Sequence, residues 1–139
     1  MRTIYDLMVG VARKLSKKAV IVRIRKPATK GADGECHADQ SGNVIIDVSP
    51  DFSDPTMLYI FLHEVAHAKN DRFLRSNVWE LSEQSVSDDP GIRTAGYDLK
   101  EGRAEKVARE WIAYAEKNAN PEFDYFEGCL LALYRKGDK

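Results

Sequence analysis

The chain is poor in the residues that cross-link a fold or hold it in a membrane. It has two cysteines, Cys36 and Cys129, whose wide separation provides neither a disulfide framework nor a Cys-x-x-Cys metal motif. No apolar run approaches the roughly twenty residues of a membrane span, and the N-terminus lacks the apolar stretch of a secretory signal. We therefore expect one cytoplasmic domain over residues 1–139, with no membrane partner.

Histidine is scarce as well, and two of the three histidines fall in one short motif. His63-Glu64-Val65-Ala66-His67 is an H-E-x-x-H sequence that follows an apolar run over residues 57–62. Capping residues and Pro55 precede this run, an arrangement typical of a helix start. The pattern predicts a largely buried helix over residues 55–72.

The spacing of this motif gives it a chemical meaning. Residues four apart lie on the same face of a helix, so both imidazoles can bind one tetrahedral Zn²⁺. Glu64 lies beside them, where its carboxylate can take a proton from a water molecule. The competing interpretation makes His63 and His67 ordinary helix residues. It is weaker, because buried imidazoles next to a buried glutamate need a partner.

A third ligand has to come from elsewhere in the chain. The metzincin spacing would require glycine and histidine at positions 70 and 73, where the sequence has Asn70 and Phe73. His37 lies upstream among predicted strands. These exclusions leave a carboxylate on a second helix, which the three/four spacing of apolar residues predicts over residues 100–115.

Two glutamates lie on the small-residue stripe of that second helix. Glu101 and Glu105 alternate with Ala104 and Ala108, so this helix can approach a neighbour closely and direct a carboxylate towards it. In the alternative interpretation, both glutamates form ordinary i,i+4 ion pairs with Arg109 or nearby lysines.

These two motifs together resemble a known pattern. HEVAH followed by E-x-x-A-E-x-x-A is similar to the gluzincins, in particular the small ImmA/IrrE-type metallopeptidases and the minigluzincins. The resemblance implies that Zn²⁺ is held by His63, His67 and Glu101, and that Glu64 is the catalytic base. It also implies that Glu105 hydrogen-bonds a ligand histidine. Because Glu105 stands where Asp or Asn is more usual, both glutamates remain candidates for the third ligand.

The resemblance also implies an activity and a substrate. It indicates a zinc metalloendopeptidase that cleaves a narrow intracellular protein target, as a regulator often encoded by a mobile element. A peptide substrate would align with an edge strand, for which residues 35–39 are the candidate. A zinc hydrolase of small amides is a second reading of the same site.

The remaining patterns predict an α+β fold. A small three-stranded antiparallel sheet would pack against the H-E-x-x-H helix, the second ligand-bearing helix and flanking N- and C-terminal helices. Residues 73–97 are weakly patterned and predict a long segment beside the substrate cleft, with a short helix over 77–84. The predicted flanking elements are a helix over 3–17, strands over 20–25, 35–39 and 43–48, and a last helix opened by Asn120-Pro121.

The charge distribution supports a different class of function. The first 30 residues carry nine Lys/Arg against one acid, and the remaining residues have an excess of nine acids. Such asymmetry is typical of proteins that contact nucleic acid or an acidic partner. The alternative is therefore a metal-bearing regulatory or binding protein without proteolytic activity. A solvated helix face followed by an exposed strand explains the same charges and is favoured, since no aromatics interleave with Arg23, Arg25 and Lys26.

Overall fold

In the part of the chain that the structure describes, four helices and a three-stranded sheet form the α+β class of fold predicted from the sequence. The structure, a computed structural model, describes residues 3–27, 31–39, 41, 43–70 and 90–137, and for residues 90–100 it gives the backbone alone. The elements in chain order are α1 (Ile4–Ser16), β1 (Val20–Ile24), β2 (Gly34–Ala38), β3 (Val44–Val48), α2 (Asp54–Asn70), α3 (Pro90–Asn118) and α4 (Tyr125–Lys136).

Helix α1 forms as predicted, because its capping residues and its apolar face define the same helical segment. Thr3 and Asp6 form a capping box, in which the Asp6 backbone N–H donates to the Thr3 hydroxyl at 3.0 Å. The helix ends at Ser16, and Lys17 adopts the left-handed conformation with φ +61°. The face that enters the core is apolar, and its buried side chains are Leu7, Met8, Val11, Ala12 and Leu15.

The sheet is mixed, so the prediction of an antiparallel sheet is wrong for one of its strands. The strand order is β1-β3-β2, with β2 antiparallel to β3 and β1 parallel to β3. Residues 25–33 connect β1 to β2, and nine residues easily span the roughly 10 Å between strands that are not neighbours. Strand β3 then lies between β1 and β2. It takes the centre because all five of its residues are buried.

The two faces of the sheet differ in chemistry. Val22 and Ile46 are fully buried on the inner face, which the helices cover. The outer face carries Asp47, which is 0% exposed and is held by Arg23 through two contacts of 2.7 and 3.0 Å. Arg25 adds a third contact at 3.4 Å. The carboxylate is therefore buried with its charge compensated.

Helix α2 contains the H-E-x-x-H motif and lies between the sheet and α3. It begins at Asp54, one residue before the predicted start, and is described to Asn70; the predicted end at Arg72 lies outside the described residues. Its apolar residues are buried on nearly every side, as the sequence predicted. Lys18 donates a hydrogen bond to the carbonyl of Ala68, which satisfies one free acceptor in the last turn.

Helix α3 is longer than the sequence predicted. It begins at Pro90 rather than near residue 100, so the prediction of a weakly structured segment is wrong for residues 90–97. Proline is well suited to this position, because the N–H groups in the first turn of a helix have no partner within the helix. Residues 71–89, with the short helix predicted over 77–84, lie outside the described residues.

Helix α4 begins later than predicted. Asp124 is its N-cap and accepts a hydrogen bond from the Glu127 backbone N–H at 2.9 Å, whereas Asn120 caps only a preceding turn. Phe126, in the first turn, is buried, whereas Phe123 precedes the helix and is 40% exposed. Within the described ranges, none of the helices combines the length and apolar character that crossing a bilayer requires.

Candidate metal centre

Helices α2 and α3 bring together three residues that the sequence predicted as zinc ligands. Nε2 of His63 lies 2.7 Å from Oε2 of Glu101, and Nε2 of His67 lies 3.2 Å from Oε1 of the same carboxylate. The imidazole rings of the two histidines are 4.9 Å apart and nearly perpendicular. We call His63, His67 and Glu101 the helix group.

The close approach of the two helices is a consequence of small side chains. Ala104 and Ala108 follow Glu101 at helical three/four spacing and are 1% and 0% exposed. They belong to the same buried cluster as Leu62 and Val65 of α2. A larger residue at either alanine would hold α3 away from α2. The small-residue stripe therefore places the Glu101 carboxylate within reach of both imidazoles.

The helix group fits a divalent metal of the zinc type. Two imidazole nitrogens and one carboxylate oxygen are a donor set found in catalytic zinc sites. Ligand atoms about 2.1 Å from a tetrahedral ion lie roughly 3.4 Å from one another. The three ligand atoms of the helix group all lie within 4.8 Å of one another, so small side-chain adjustments would admit an ion.

The charge state of Glu101 also suits metal binding. Its hydrogen bonds to His63 and His67 hold the pKa of the carboxyl well below its usual range, against the opposing effect of partial burial. The carboxylate is therefore ionised at neutral pH. It can supply a negative charge to a cation without first losing a proton.

Glu64 lies next to the helix group, and the main influence on its pKa is burial. It is 8% exposed, and burial raises the pKa of its carboxyl to about 7, although the neighbouring His67 and His63 oppose that shift. A carboxyl that titrates near neutral pH can both accept and return a proton under physiological conditions. This is the property that a general base needs.

Glu105 forms an ion pair with Arg109 on the same helix. Its carboxylate lies 2.6 Å from the guanidinium of Arg109, and the two side chains are 43% and 72% exposed. This contact is the i,i+4 pair of the alternative interpretation. Among the described residues, Nδ1 of His63 is buried without a hydrogen-bond partner, so Glu105 does not hold this ring. Glu101 is the glutamate that contacts both histidines.

A second group of metal-type side chains, which the sequence analysis did not identify, lies on the outer face of the sheet. Glu35, His37 and Asp47 each place one ligand atom within 4.8 Å of the others, and we call them the sheet group. Alternation along β2 could have paired Glu35 with His37, but only the register with β3 adds Asp47. His37 is on the face opposite Gly34, whose Cα faces Glu64, and so does not join the helix group.

Another unpredicted neighbour of the helix group is Tyr59. Its ring centroid lies 5.9 Å from that of His63, one helical turn away on α2. The sequence could have indicated this contact, because Tyr59 and His63 are four residues apart on one helix. The tyrosine forms part of the wall beside the site.

The two edges of the sheet are not equivalent. On β1, the hydroxyl of Tyr5 donates to the carbonyl of Val22 at 2.7 Å, and Nε of Arg13 donates to that of Val20 at 3.2 Å. Side chains of α1 therefore cover that edge. Strand β2 is the other edge and, in the part of the chain that is described, pairs only with β3. It is also the edge next to Glu64.

The comparisons with known proteins identify no relative. No family model matches the chain, and neither a curated protein nor a solved structure gives a significant match.

Proposed function

We propose that this protein is a zinc-dependent endopeptidase of the small gluzincin kind, similar to the ImmA/IrrE-type metallopeptidases. The observation that carries the proposal is the helix group, in which His63 and His67 contact one carboxylate, Glu101, with Glu64 buried beside them. A buried carboxyl beside the three ligands is where metal-assisted hydrolysis uses a general base.

Each residue has a distinct role in the proposed reaction. His63, His67 and Glu101 would hold the metal. When bound, Zn²⁺ supplies Lewis acidity, which polarises a carbonyl and lowers the pKa of a water molecule. Glu64 accepts the proton of the attacking water and returns it to the leaving amine. In the metal-free protein, burial raises the pKa of the Glu64 carboxyl to about 7, so this environment favours uptake of a proton by the carboxylate.

The sheet supports a peptide as the substrate. The edge of β2 lies beside Glu64, whereas the edge of β1 is covered by Tyr5 and Arg13. An extended chain paired with β2 would be held next to the general base by backbone hydrogen bonds. We infer that the substrate is an unfolded or extended segment of an intracellular protein, as expected of a regulatory protease with a narrow target.

The alternative, a binding protein that uses its basic N-terminal region, has less support. A cationic surface for nucleic acid needs side chains that are free to contact phosphates. Most of the basic residues in this region are engaged within the fold: Arg13 with the Val20 carbonyl, Lys14 with the Tyr134 ring, Lys18 with the Ala68 carbonyl, Arg23 and Arg25 with Asp47, and Lys26 with Asp51.

The test separates metal binding from hydrolysis. Wild type, Glu64→Gln and the matched surface control Glu110→Gln are purified, and their zinc content is measured by elemental analysis. Hydrolysis of a mixture of internally quenched peptides and of unfolded casein is followed in parallel. We expect about one zinc per chain in all three proteins. Turnover should fall at least about 100-fold in Glu64→Gln alone, the typical contribution of a general base.

Three results would overturn the proposal. If Glu64→Gln hydrolyses peptides at the wild-type rate, Glu64 is not the general base. Wild type that retains zinc but cleaves neither probe, while a candidate partner still binds both it and Glu64→Gln, would favour the regulatory alternative. Cleavage of short amides without endopeptidase activity would instead identify a hydrolase of small substrates.

A further inference from the structure

Gly34 lies at the point where strand β2 comes closest to helix α2. A Cβ atom at this position would be 2.6 Å from Cγ2 of Ile60 and 3.1 Å from both Cγ and Oε2 of Glu64. Carbon atoms in ordinary contact are 3.5 to 4.0 Å apart. Strand β2 therefore approaches Glu64 this closely only because residue 34 has no side chain.

The requirement for glycine at this position is one of space and not of backbone conformation. Gly31 has a positive φ of +84°, a conformation that other residues rarely adopt, and a Cβ there would meet no atom of the described ranges within 4 Å. Gly34 is the opposite case, since it has no positive φ and a crowded Cβ position. Alanine at position 34 would thus be tolerated by the backbone and opposed by its neighbours.

The strand has little freedom to move away from such a clash. Gly34 is paired with Val48 of the central strand, and the Ser49 backbone N–H donates to the Asp33 carbonyl at 3.0 Å. Shifting β2 outward would break backbone hydrogen bonds at this end of the sheet. The side chains of Ile60 and Glu64 are the parts that can give way.

We propose that Gly34 is a positioning residue for Glu64, because its missing side chain leaves the space that the Glu64 carboxylate occupies beside the helix group. This inference rests on the proposed function for its catalytic consequence, but its structural content is independent of it. The three atoms nearest the Cβ position of residue 34 belong to Ile60 and Glu64, and none of them to a residue of the helix group. A substitution there should therefore displace the general base and leave the metal ligands in place.

Gly34→Ala is the test, with Gly102→Ala as its matched control. Gly102 lies on α3, where a Cβ would meet no atom of the described residues within 4 Å, so the same change adds a methyl group without a clash against them. Zinc content is measured for both variants, and crystal structures of the zinc-loaded wild type and Gly34→Ala are compared. With the peptide that wild type cleaves best, kcat and KM are determined separately.

We expect one zinc per chain in both variants. In Gly34→Ala, the Glu64 carboxylate should move by more than about 0.5 Å relative to the helix group, which exceeds the tolerance of a productive site. Its kcat should fall roughly tenfold to a hundredfold, because small displacements of reacting groups have effects of that size. KM should change by less than about threefold, since the β2 edge itself remains paired with β3.

A second substitution separates the two neighbours of the added methyl group. Ile60→Ala removes the Cγ2 atom that lies 2.6 Å from the Cβ position, but leaves the contact with Glu64. In our proposal, Gly34→Ala/Ile60→Ala unfolds at a higher temperature than Gly34→Ala yet keeps its low kcat. Recovery of kcat in the double variant would overturn the proposal, because packing against Ile60 would then be the cause.

Failure of this inference is distinguishable from failure of the proposed function. If wild type retains zinc but cleaves no peptide, the proposed function fails, and the crystal structures still decide whether Gly34 positions Glu64. If Gly34→Ala leaves the Glu64 carboxylate where it is in wild type, or if its kcat equals that of Gly102→Ala, the inference is wrong while the peptidase assignment stands.

Discussion

The helix group and the sheet group have similar side chains but different counter-charges. In the sheet group, Asp47 already holds Arg23 and Arg25, so a cation would approach a carboxylate whose charge is neutralised. In the helix group, the partners of Glu101 among the described residues are the two imidazoles, which can exchange a proton for a metal ion.

Asp47 of the sheet group and Glu64, which lies beside the helix group, are both buried acids and differ in the same way. Asp47 is 0% exposed and its charge is compensated by arginines. Glu64 is 8% exposed and forms no ion pair with an arginine or lysine in the described part of the chain, and its pKa rises to about 7. Proximity of metal-type side chains therefore does not define a site. The neighbouring charges decide which group stabilises the fold and which group is available for chemistry.

The largest expected effect is loss of metal from the helix group. Glu101→Ala should weaken zinc binding more than about 100-fold, because loss of a direct ligand exceeds the 10- to 100-fold effect of outer-shell partners. His37→Ala, which changes the sheet group, should retain one zinc per chain. Titration with zinc against a competing chelator measures both. Loss of zinc in His37→Ala but not in Glu101→Ala would show that the sheet group, and not the helix group, binds the metal.

The pKa of Glu64 predicts how the stability of the metal-free protein depends on pH. A carboxyl whose folded pKa is raised contributes stability below its unfolded value of 4.5, and this contribution is lost as pH rises through about 7. The loss should be about 3 kcal/mol at 1.36 kcal/mol per pKa unit. Denaturant unfolding of chelator-treated wild type and Glu64→Gln between pH 4.5 and 8 measures this loss. The difference between their free energies of unfolding at each pH isolates Glu64, because the contributions of all other groups cancel. Parallel pH profiles would contradict the burial argument.

Removing the buried carboxylate of the sheet group should destabilise the fold without affecting the metal. We expect Asp47→Ala to lower the free energy of unfolding by about 2 kcal/mol. This is below the 3 to 5 kcal/mol of a fully buried pair, because Arg23 and Arg25 keep 34% and 53% of their side chains exposed. Asp51→Ala, in an exposed pair with Lys26, is the control and should cost less than about 1 kcal/mol. Chemical denaturation with zinc analysis tests both points. Loss of zinc in Asp47→Ala would show that the two groups are coupled.

The smallest expected effect concerns the glutamate that the resemblance placed against a ligand histidine. Glu105→Ala removes an exposed i,i+4 pair with Arg109 and should change stability by less than about 0.5 kcal/mol. Its zinc affinity should stay within about threefold of wild type, well below the tenfold minimum of an outer-shell ligand partner. A tenfold or larger loss of affinity would mean that Glu105 turns towards a histidine when metal binds.

Local spacing was sufficient to place the histidines and Glu64, because an i,i+4 motif on a buried helix depends only on residues that are close in sequence. The same is true of α1, whose cap and apolar stripe lie within one short segment. Spacing could also indicate a second helix with glutamates beside alanines. It could not choose between Glu101 and Glu105, which lie one turn apart on almost the same face.

The remaining features depend on contacts between distant parts of the chain. The way α3 packs on α2 makes Glu101 the partner of both imidazoles, and the strand order makes β1 parallel to β3. The pairing of Asp47 with Arg23 and the approach of Gly34 to Glu64 join residues 24 and 30 positions apart. Each of these contacts depends on how the elements pack and pair. That arrangement is determined by the burial of apolar surface over the whole core. A periodic pattern tells which face of an element is buried, but only the assembled fold decides which side chains meet there.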